Sequence, residues 1–220
     1  MELFDVMRTT FAARQFTEDE VSDETLQRIL DNARFAPSGG NRQGWRVVVV
    51  RDQDKRQKLI PLLEPVIRKY RAQVAAGENP FNTVVPTKVS DTDVSKTELP
   101  AGYSDPYLKS PILLLIFVDL SVVASMDSAL QRVGVVSGAS IYPFAWNILL
   151  AARNEGLGGT LTTFAAVQEP AMKELFDVPD KYALAAVLPI GRPVKQLTKL
   201  RRNPISHFTT IDSFDGEPFG

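Results

Sequence analysis

The chain has no cysteine and a single histidine, His207. Without thiols there can be no disulfide, zinc–thiolate site, iron–sulfur ligation or cysteine nucleophile, and one imidazole cannot build a multi-histidine metal centre. Only His207 could serve a Ser-His-Asp arrangement, and in a polar C-terminal segment it reads more plainly as a surface residue; no metal is expected. An excess of one charge is also missing. The 25 Lys+Arg and 26 Asp+Glu of the 220 residues leave a net charge of -1, which removes the electrostatic grounds for a nucleic-acid or membrane-surface partner. Long hydrophobic runs are absent too. The most apolar stretch, 133–152, is broken by Gly134, Ser137, Gly138, Ser140, Pro143 and Asn147, short of the ~20 apolar residues that a bilayer span requires. Met1-Glu2-Leu3-Phe4-Asp5 lacks the basic-then-apolar order of a secretory signal, so a cytoplasmic location is expected.

What is present is a 44% hydrophobic composition, enough for one substantial core in a single domain spanning 1–220. Phe4, Met7 and Phe11 fit one face of a short opening helix. Leu26, Ile29, Leu30 and Ala33 recur at helical spacing behind Ser22 or Asp23 as N-cap. Pro37-Ser38-Gly39-Gly40-Asn41 reads as a loop, and Val47–Val50 as a buried strand. Residues 55–76 look helical, with Pro61 and Pro65 starting or kinking segments rather than lying inside one straight rod. Residues 77–110 lose periodicity, as a lid or excursion would. Ile112–Val118 and Ala183–Ile190 are further strands. Residues 135–153 read as one helix apolar around most of its circumference. Gly156-Leu157-Gly158-Gly159 ends it, Leu161–Phe164 is extended, Pro170 opens another helix, and the tail from Pro193 is irregular.

Glycine-bearing turns near helix ends let backbone amides approach a phosphate or a flat ring. Neither common nucleotide fingerprint occurs: G-x-x-x-x-G-K-[ST] is absent, and the 156–159 glycines follow a helix where a Rossmann turn follows a strand. Arg192, Lys195, Lys199, Arg201 and Arg202 fall in a segment, 192–211, without an acid. That segment is either a phosphate anchor or a solvated basic tail. Arg8 and Arg14 form a second basic pair, able to hold an anion or to cap a helix end.

Five pieces, in order, resemble the FMN-dependent nitroreductase family: Arg8-Thr9-Thr10-Phe11-Ala12-Ala13-Arg14-Gln15-Phe16; Ala36-Pro37-Ser38-Gly39-Gly40-Asn41-Arg42-Gln43-Gly44-Trp45; Gly156-Leu157-Gly158-Gly159-Thr160; Pro189-Ile190-Gly191; and Arg202-Asn203-Pro204. The resemblance covers nearly the whole chain. It implies an α+β, three-layer fold, a central mostly antiparallel sheet flanked by helices, and a homodimer with two FMN sites at its interface. The helix at 135–153 would then be the interface helix, 77–110 a cover over the flavin, and 193–220 a tail over the partner subunit.

By the same resemblance, Arg14 and Arg202 hold the FMN phosphate or ribityl oxygens, with Arg8 in a lesser role. Pro37, Ser38, Gly39 and Asn41 contact the cofactor, while Leu161, Thr162 and Thr163 line the ring. Phe11 stands where relatives carry Arg, so that phosphate contact is either missing or supplied by Arg201, and Gly44 replaces a usual Pro. No side chain need be catalytic, because the flavin carries electrons from NADH or NADPH in alternation with the acceptor. Nitroaromatics or quinones are the expected acceptors, and Trp45, Phe81, Tyr103 and Tyr107 either stack on them or pack in core and lid. Two other readings stay open: a flavoenzyme of different chemistry (dehalogenation, oxidation, flavin breakdown), and a flavin-binding storage or sensing protein without turnover.

Overall fold

Ile112–Asp119 forms strand β2, and all eight of its residues are buried. A strand that reads as one apolar run must be covered on both faces, and the computed structural model, which describes residues 1–220, shows both covers. In chain order the other elements are α1 (Leu3–Thr9), α2 (Asp23–Ala33), β1 (Trp45–Val49), α3 (Gln53–Ala75), α4 (Asp91–Lys96), α5 (Asp105–Leu108), α6 (Tyr142–Asn154), β3 (Gly158–Gly159), α7 (Glu169–Leu175) and β4 (Tyr182–Gly191). The sheet runs β1-β2-β4-β3, with every neighbouring pair antiparallel. An isolated parallel bridge, Ala12 to Gly159, extends it.

The side chains of β2 alternate between layers, as strand geometry requires. Ile112, Leu114, Ile116 and Val118 join Leu26 and Ile29 of α2 and Phe144 and Ile148 of α6. Leu113, Leu115 and Phe117 join Leu59, Leu63 and Ile67 of α3 and Met172 of α7. The result is the three-layer α+β arrangement that the resemblance implies. A bulge where Ile116 pairs with Ala186 and Phe117 with Leu184 inserts Ala185 as an extra residue in β4. Ala185 and Ala186 therefore both face the α2/α6 layer, and Val187 returns to the α3 side.

Several expectations hold. Ser22 caps α2, its side chain accepting from the Thr25 N–H; Pro170 sits in the first turn of α7; and α6 ends just before Gly156. Others need correction. In α1 only Val6 is buried, while Phe4 and Met7 are exposed and Phe11 lies past the helix end. A short helix with apolar residues on two faces cannot reveal from its sequence which one turns inward. Residues 53–75 form one helix that runs through Pro61 and Pro65; each proline removes one ladder hydrogen bond, and burial of Leu59, Leu63, Val66 and Ile67 offsets the loss. The helix expected over 135–153 is split into a 3-10 turn at Val136–Ser140 and α6, with Pro143 in the first turn of α6. A continuous helix would drive the Pro143 ring into the carbonyl four residues back.

Residues 77–110 are not structureless. Ser90 and Asp93 form a capping box on α4, and Pro106 and Tyr107 of α5 are buried. Elements of six and four residues are too short to register as periodicity. The 158–159 glycines are a packing requirement. A Cβ on Gly159 would lie 2.7 Å from the Pro189 carbonyl oxygen, 2.8 Å from Ile190 Cγ1 and 3.0 Å from Leu149 Cδ2. Gly159→Ala is expected to cost about 1–3 kcal/mol through overpacking, read as a lowered urea midpoint at unchanged m-value; a midpoint equal to wild type would show that the strand shifts freely.

Candidate functional site

Backbone pairing builds the site. The Ala13 N–H donates to the Gly159 carbonyl at 3.0 Å and the Thr17 N–H to the Arg192 carbonyl at 2.9 Å, which lays residues 12–17 along the β3 and β4 ends and brings Arg14 beside 160–163. Thr162 and Val187 exchange backbone hydrogen bonds at 3.0 and 2.8 Å, so the 160–163 segment is fixed at the edge of the sheet. The facing wall comes from α3 and α5. Together they enclose a cleft of about 270 Å³ lined by Arg14, Ile67, Pro100, Tyr103, Pro106, Tyr107, Thr160–Phe164 and Pro189.

A buried guanidinium holds that wall. Arg56 donates to the carbonyls of Val50 (3.0 and 2.8 Å), Ser110 (2.6 Å) and Tyr107 (3.3 Å). No carboxylate pairs with it, and burial pushes its pKa down. Its bonds clamp the start of α3 to both ends of the α5–β2 connection, and so set where the Tyr107 ring stands. The Tyr107 hydroxyl lies 3.4 Å from Thr162 Oγ1, and burial raises its pKa. Tyr103 donates to the Glu64 carboxylate of α3, which holds its hydroxyl up to about 12.

Arg14 is the only charged residue lining the cleft. It is exposed, and its one hydrogen bond is to the Ala12 carbonyl at 3.3 Å. The backbone N–H groups of Leu161 and Thr163 have no protein acceptor. A guanidinium without a carboxylate beside two unspent N–H groups is a donor set suited to an anion or to the heteroatoms of a polar ring.

The structure thus brings together Arg14, Leu161, Thr162, Thr163, Tyr103 and Tyr107. It leaves the other sequence candidates elsewhere. Pro37, Ser38, Gly39 and Asn41 belong to a separate turn, in which Gly40, Asn41 and Gln43 all take left-handed φ of 61°, 52° and 51°. The turn is closed by Gln43 N–H to Ser38 Oγ (2.9 Å) and tied to the 136–140 segment by Gly39 N–H to Ser140 Oγ (3.1 Å). Non-glycine residues in that region are uncommon, and the hydrogen bonds that close the turn hold these two there.

Gly44 follows the turn, and a Cβ there would fall 2.6 Å from Val122 Cγ2, a crowding that accounts for glycine at this position. Trp45 is half-buried and packs against the core: it stacks on Phe144 with centroids 4.7 Å apart and planes 2° from parallel. Phe81 lies beyond the end of α3, its N–H on the Gln73 side chain at 3.1 Å, outside the cleft. Arg8 sits over the exposed Phe4 ring. Arg201 and Arg202 are exposed in the tail, with Arg202 Nη1 on the Arg201 carbonyl at 2.6 Å, and His207 is exposed as well.

Sequence reasoning missed Ile67, Pro100, Pro106, Thr160, Phe164 and Pro189, together with the supporting Arg56 and Glu64. Ile67 and Phe164 look like any core residue, and an arginine four residues into a helix reads as a surface charge. No local pattern distinguishes them.

The nitroreductase family model matches residues 7–192, a span that takes in the Arg14 segment, both cleft walls and the Ser38 turn. This chain belongs to the nitroreductase family. Within it, the chain is 28% identical over 207 residues to human iodotyrosine deiodinase 1, covering 93% of this chain and 66% of that protein. It is 25% identical over 225 residues to the nitrobenzene nitroreductase of Ectopseudomonas oleovorans, covering 94% and 95%. In fold it is similar, with a TM-score of 0.70 at 22% identity over 97% of this chain and 100% of the other, to an oxidized iodotyrosine deiodinase bound to FMN and 3-iodo-L-tyrosine. No helix of this family member is long and apolar enough to cross a membrane.

Asp119, at the end of β2, supports the Ser38–Gly44 turn. Its N–H donates to the Gly44 carbonyl at 2.7 Å, and its carboxylate takes Lys181 Nζ at 2.6 Å and the Ser121 N–H at 2.9 Å. Lys181 first, then Ser121, holds the carboxyl at about 2, below its ordinary 3.8. A depressed carboxyl favours the folded state above its unfolded pKa and ceases to as pH falls through the folded one, so the loss falls between 3.8 and about 2. Asp119→Asn is expected to lower the urea midpoint near neutral pH, with the gap to wild type closing across that interval. A gap that persists unchanged into acid would remove the carboxylate from the account.

Proposed function

We propose that this chain binds FMN with Arg14 and the 160–163 segment, acts as a homodimer, and passes electrons from NADH or NADPH to a neutral, electron-poor aromatic such as a nitroaromatic or quinone. The observation that carries the reading is the convergence of an uncommitted Arg14, the free N–H groups of Leu161 and Thr163, and two tyrosines on one cleft. These residues fit the cofactor: the guanidinium suits a phosphate or ribityl oxygen, and N–H donors suit the polar edge of the ring. FMN, when bound, supplies the electron transfer between donor and acceptor. The chain's own part is to hold the ring by 160–163, to keep water from it with Tyr107 and α5, and to leave an open face for each reactant in turn.

The dimer is supported by what a single chain leaves incomplete. A cleft of about 270 Å³ lies just below the range of cofactor pockets. The Ser38–Asn41 turn, which the family resemblance gives a cofactor role, shares no cavity with it. A second protomer would bring such a turn across. Leu3, Phe4 and Met7 of α1, Tyr142 and Trp146 of α6, and Ile205, Phe208, Phe214 and Phe219 of the tail are all exposed, apolar side chains that a partner subunit would cover. The tail would lie over the partner and carry Arg201 and Arg202 toward its phosphate.

The second reading, reductive dehalogenation of a halogenated phenol, is favoured by the iodotyrosine deiodinases among the relatives. Against it, the cleft presents no free carboxylate for an amino-acid ammonium group.

Protein reconstituted with FMN is expected to be yellow and dimeric by light scattering, and to bleach anaerobically with NADH or NADPH and recolour with a quinone. Protein that stays colourless after exposure to FMN rejects the proposal. Recolouring by 3-iodo-L-tyrosine with iodide release, and not by quinones, selects the second reading; a yellow protein that neither donor bleaches points to storage. Arg14→Ala is expected to weaken FMN binding by about 1.5–3 kcal/mol, the worth of a charged hydrogen bond, measured by flavin fluorescence; unchanged affinity removes Arg14 from the site.

A further inference from the structure

The cleft is polar by hydroxyl groups and carries one cation, yet a carboxylate stands directly behind its wall. Glu64 lies on α3 one turn before Ile67, which lines the cleft, and it is half-buried. Its partner is the hydroxyl of Tyr103, itself part of the lining. The same lid segment is fastened to the next turn of α3 by Arg68, which donates to the Thr97 carbonyl, so Tyr103 is held against Glu64 from a second point. The hydroxyl keeps its proton far into the alkaline range and remains a donor under any ordinary condition.

We propose that Tyr103 determines acceptor specificity by occupying the Glu64 carboxylate, so that the cleft takes neutral flat aromatics and turns away those bearing an ammonium group. The proposal deepens the reading of this cleft as the acceptor site and rests on it. A cationic ligand would find no protein carboxylate free to pair with it, Glu64 being taken by the Tyr103 hydroxyl; a neutral ring meets the faces of Tyr103 and Tyr107 and the apolar edges of Ile67 and Phe164. Discrimination arises from an unfavourable contact built against one class as much as from contacts made to the other. Glu64 is thus a latent cation subsite, concealed by one hydroxyl.

The test compares two ligands with the same ring, 4-nitrobenzyl alcohol and 4-nitrobenzylamine, the second cationic near neutral pH. Binding to FMN-loaded protein is measured by equilibrium dialysis, and anaerobic reoxidation of dithionite-reduced protein gives the matching rates. Wild type is expected to favour the alcohol by about tenfold or more, since an ammonium group would lose water in the cleft with no carboxylate to replace it. Tyr103→Phe should narrow that ratio about fivefold, the upper end for an ion pair still in touch with water. Glu64→Gln alone should leave the ratio as in wild type, and the double variant should return it there, because the gain requires a bared carboxylate. Glu64→Asp, which draws the carboxylate back from the hydroxyl, should shift the ratio as Tyr103→Phe does and stands in for it if that variant folds poorly. Equal binding of both probes to wild type, or a ratio that Tyr103→Phe and Glu64→Asp leave untouched, overturns the proposal. If the protein takes up no FMN, the redox reading fails, while dialysis with the protein as purified still decides the role of Tyr103.

Discussion

The pairing of β2 with β4 is the constraint on which the rest depends. Both strands are buried nearly end to end, so neither helical layer can form without them and neither strand can stay in water without the helices. The bulge at Ala185 then settles a local matter with a distant effect: it turns Val187 toward the α3 side, and Val187 is the residue that holds Thr162. One extra alanine in a core strand thereby sets the phase of the segment that forms the floor of the cleft.

Buried charge fixes the opposite wall. Arg56 has no counter-ion and is satisfied by carbonyls from three places in the chain. Carbonyl dipoles meet the donor geometry of a guanidinium without adding a second desolvated charge. The arrangement joins helix α3 to the α5–β2 connection at one point and so fixes the wall that carries Tyr107.

The site is sparing with charge. In a chain with nearly balanced acids and bases, the cleft lining retains one guanidinium, and the Glu64 carboxylate behind it takes the hydroxyl of Tyr103. The acid-and-base surplus is placed instead on outer surfaces, as in the Arg28–Glu155 and Arg192–Asp19 pairs. Such exposed pairs contribute little stability and leave the interior field to be shaped by a few groups.

Much of this was legible before any coordinates. The two central strands, the capped helix α2 and the proline-led α7 follow from local rules of capping and β-branching, while the grouping of Arg14 with Leu161–Thr163 was implied by the family resemblance. These rules act over a few residues and are written wherever those residues are. What tertiary structure alone decided was which of several equivalent side chains faces the cavity. Trp45 and Tyr107 are both aromatics flanking a strand, yet one stacks on Phe144 in the core and the other reaches Thr162, because the sheet places their segments on opposite sides. Phe4 and Met7 turned outward and Val6 inward for a reason no helix period contains: an apolar face is buried only where a neighbour meets it. Ile67 became a cleft residue, and Glu64 a concealed one, through chain that returns some forty residues later to lay Tyr103 against α3.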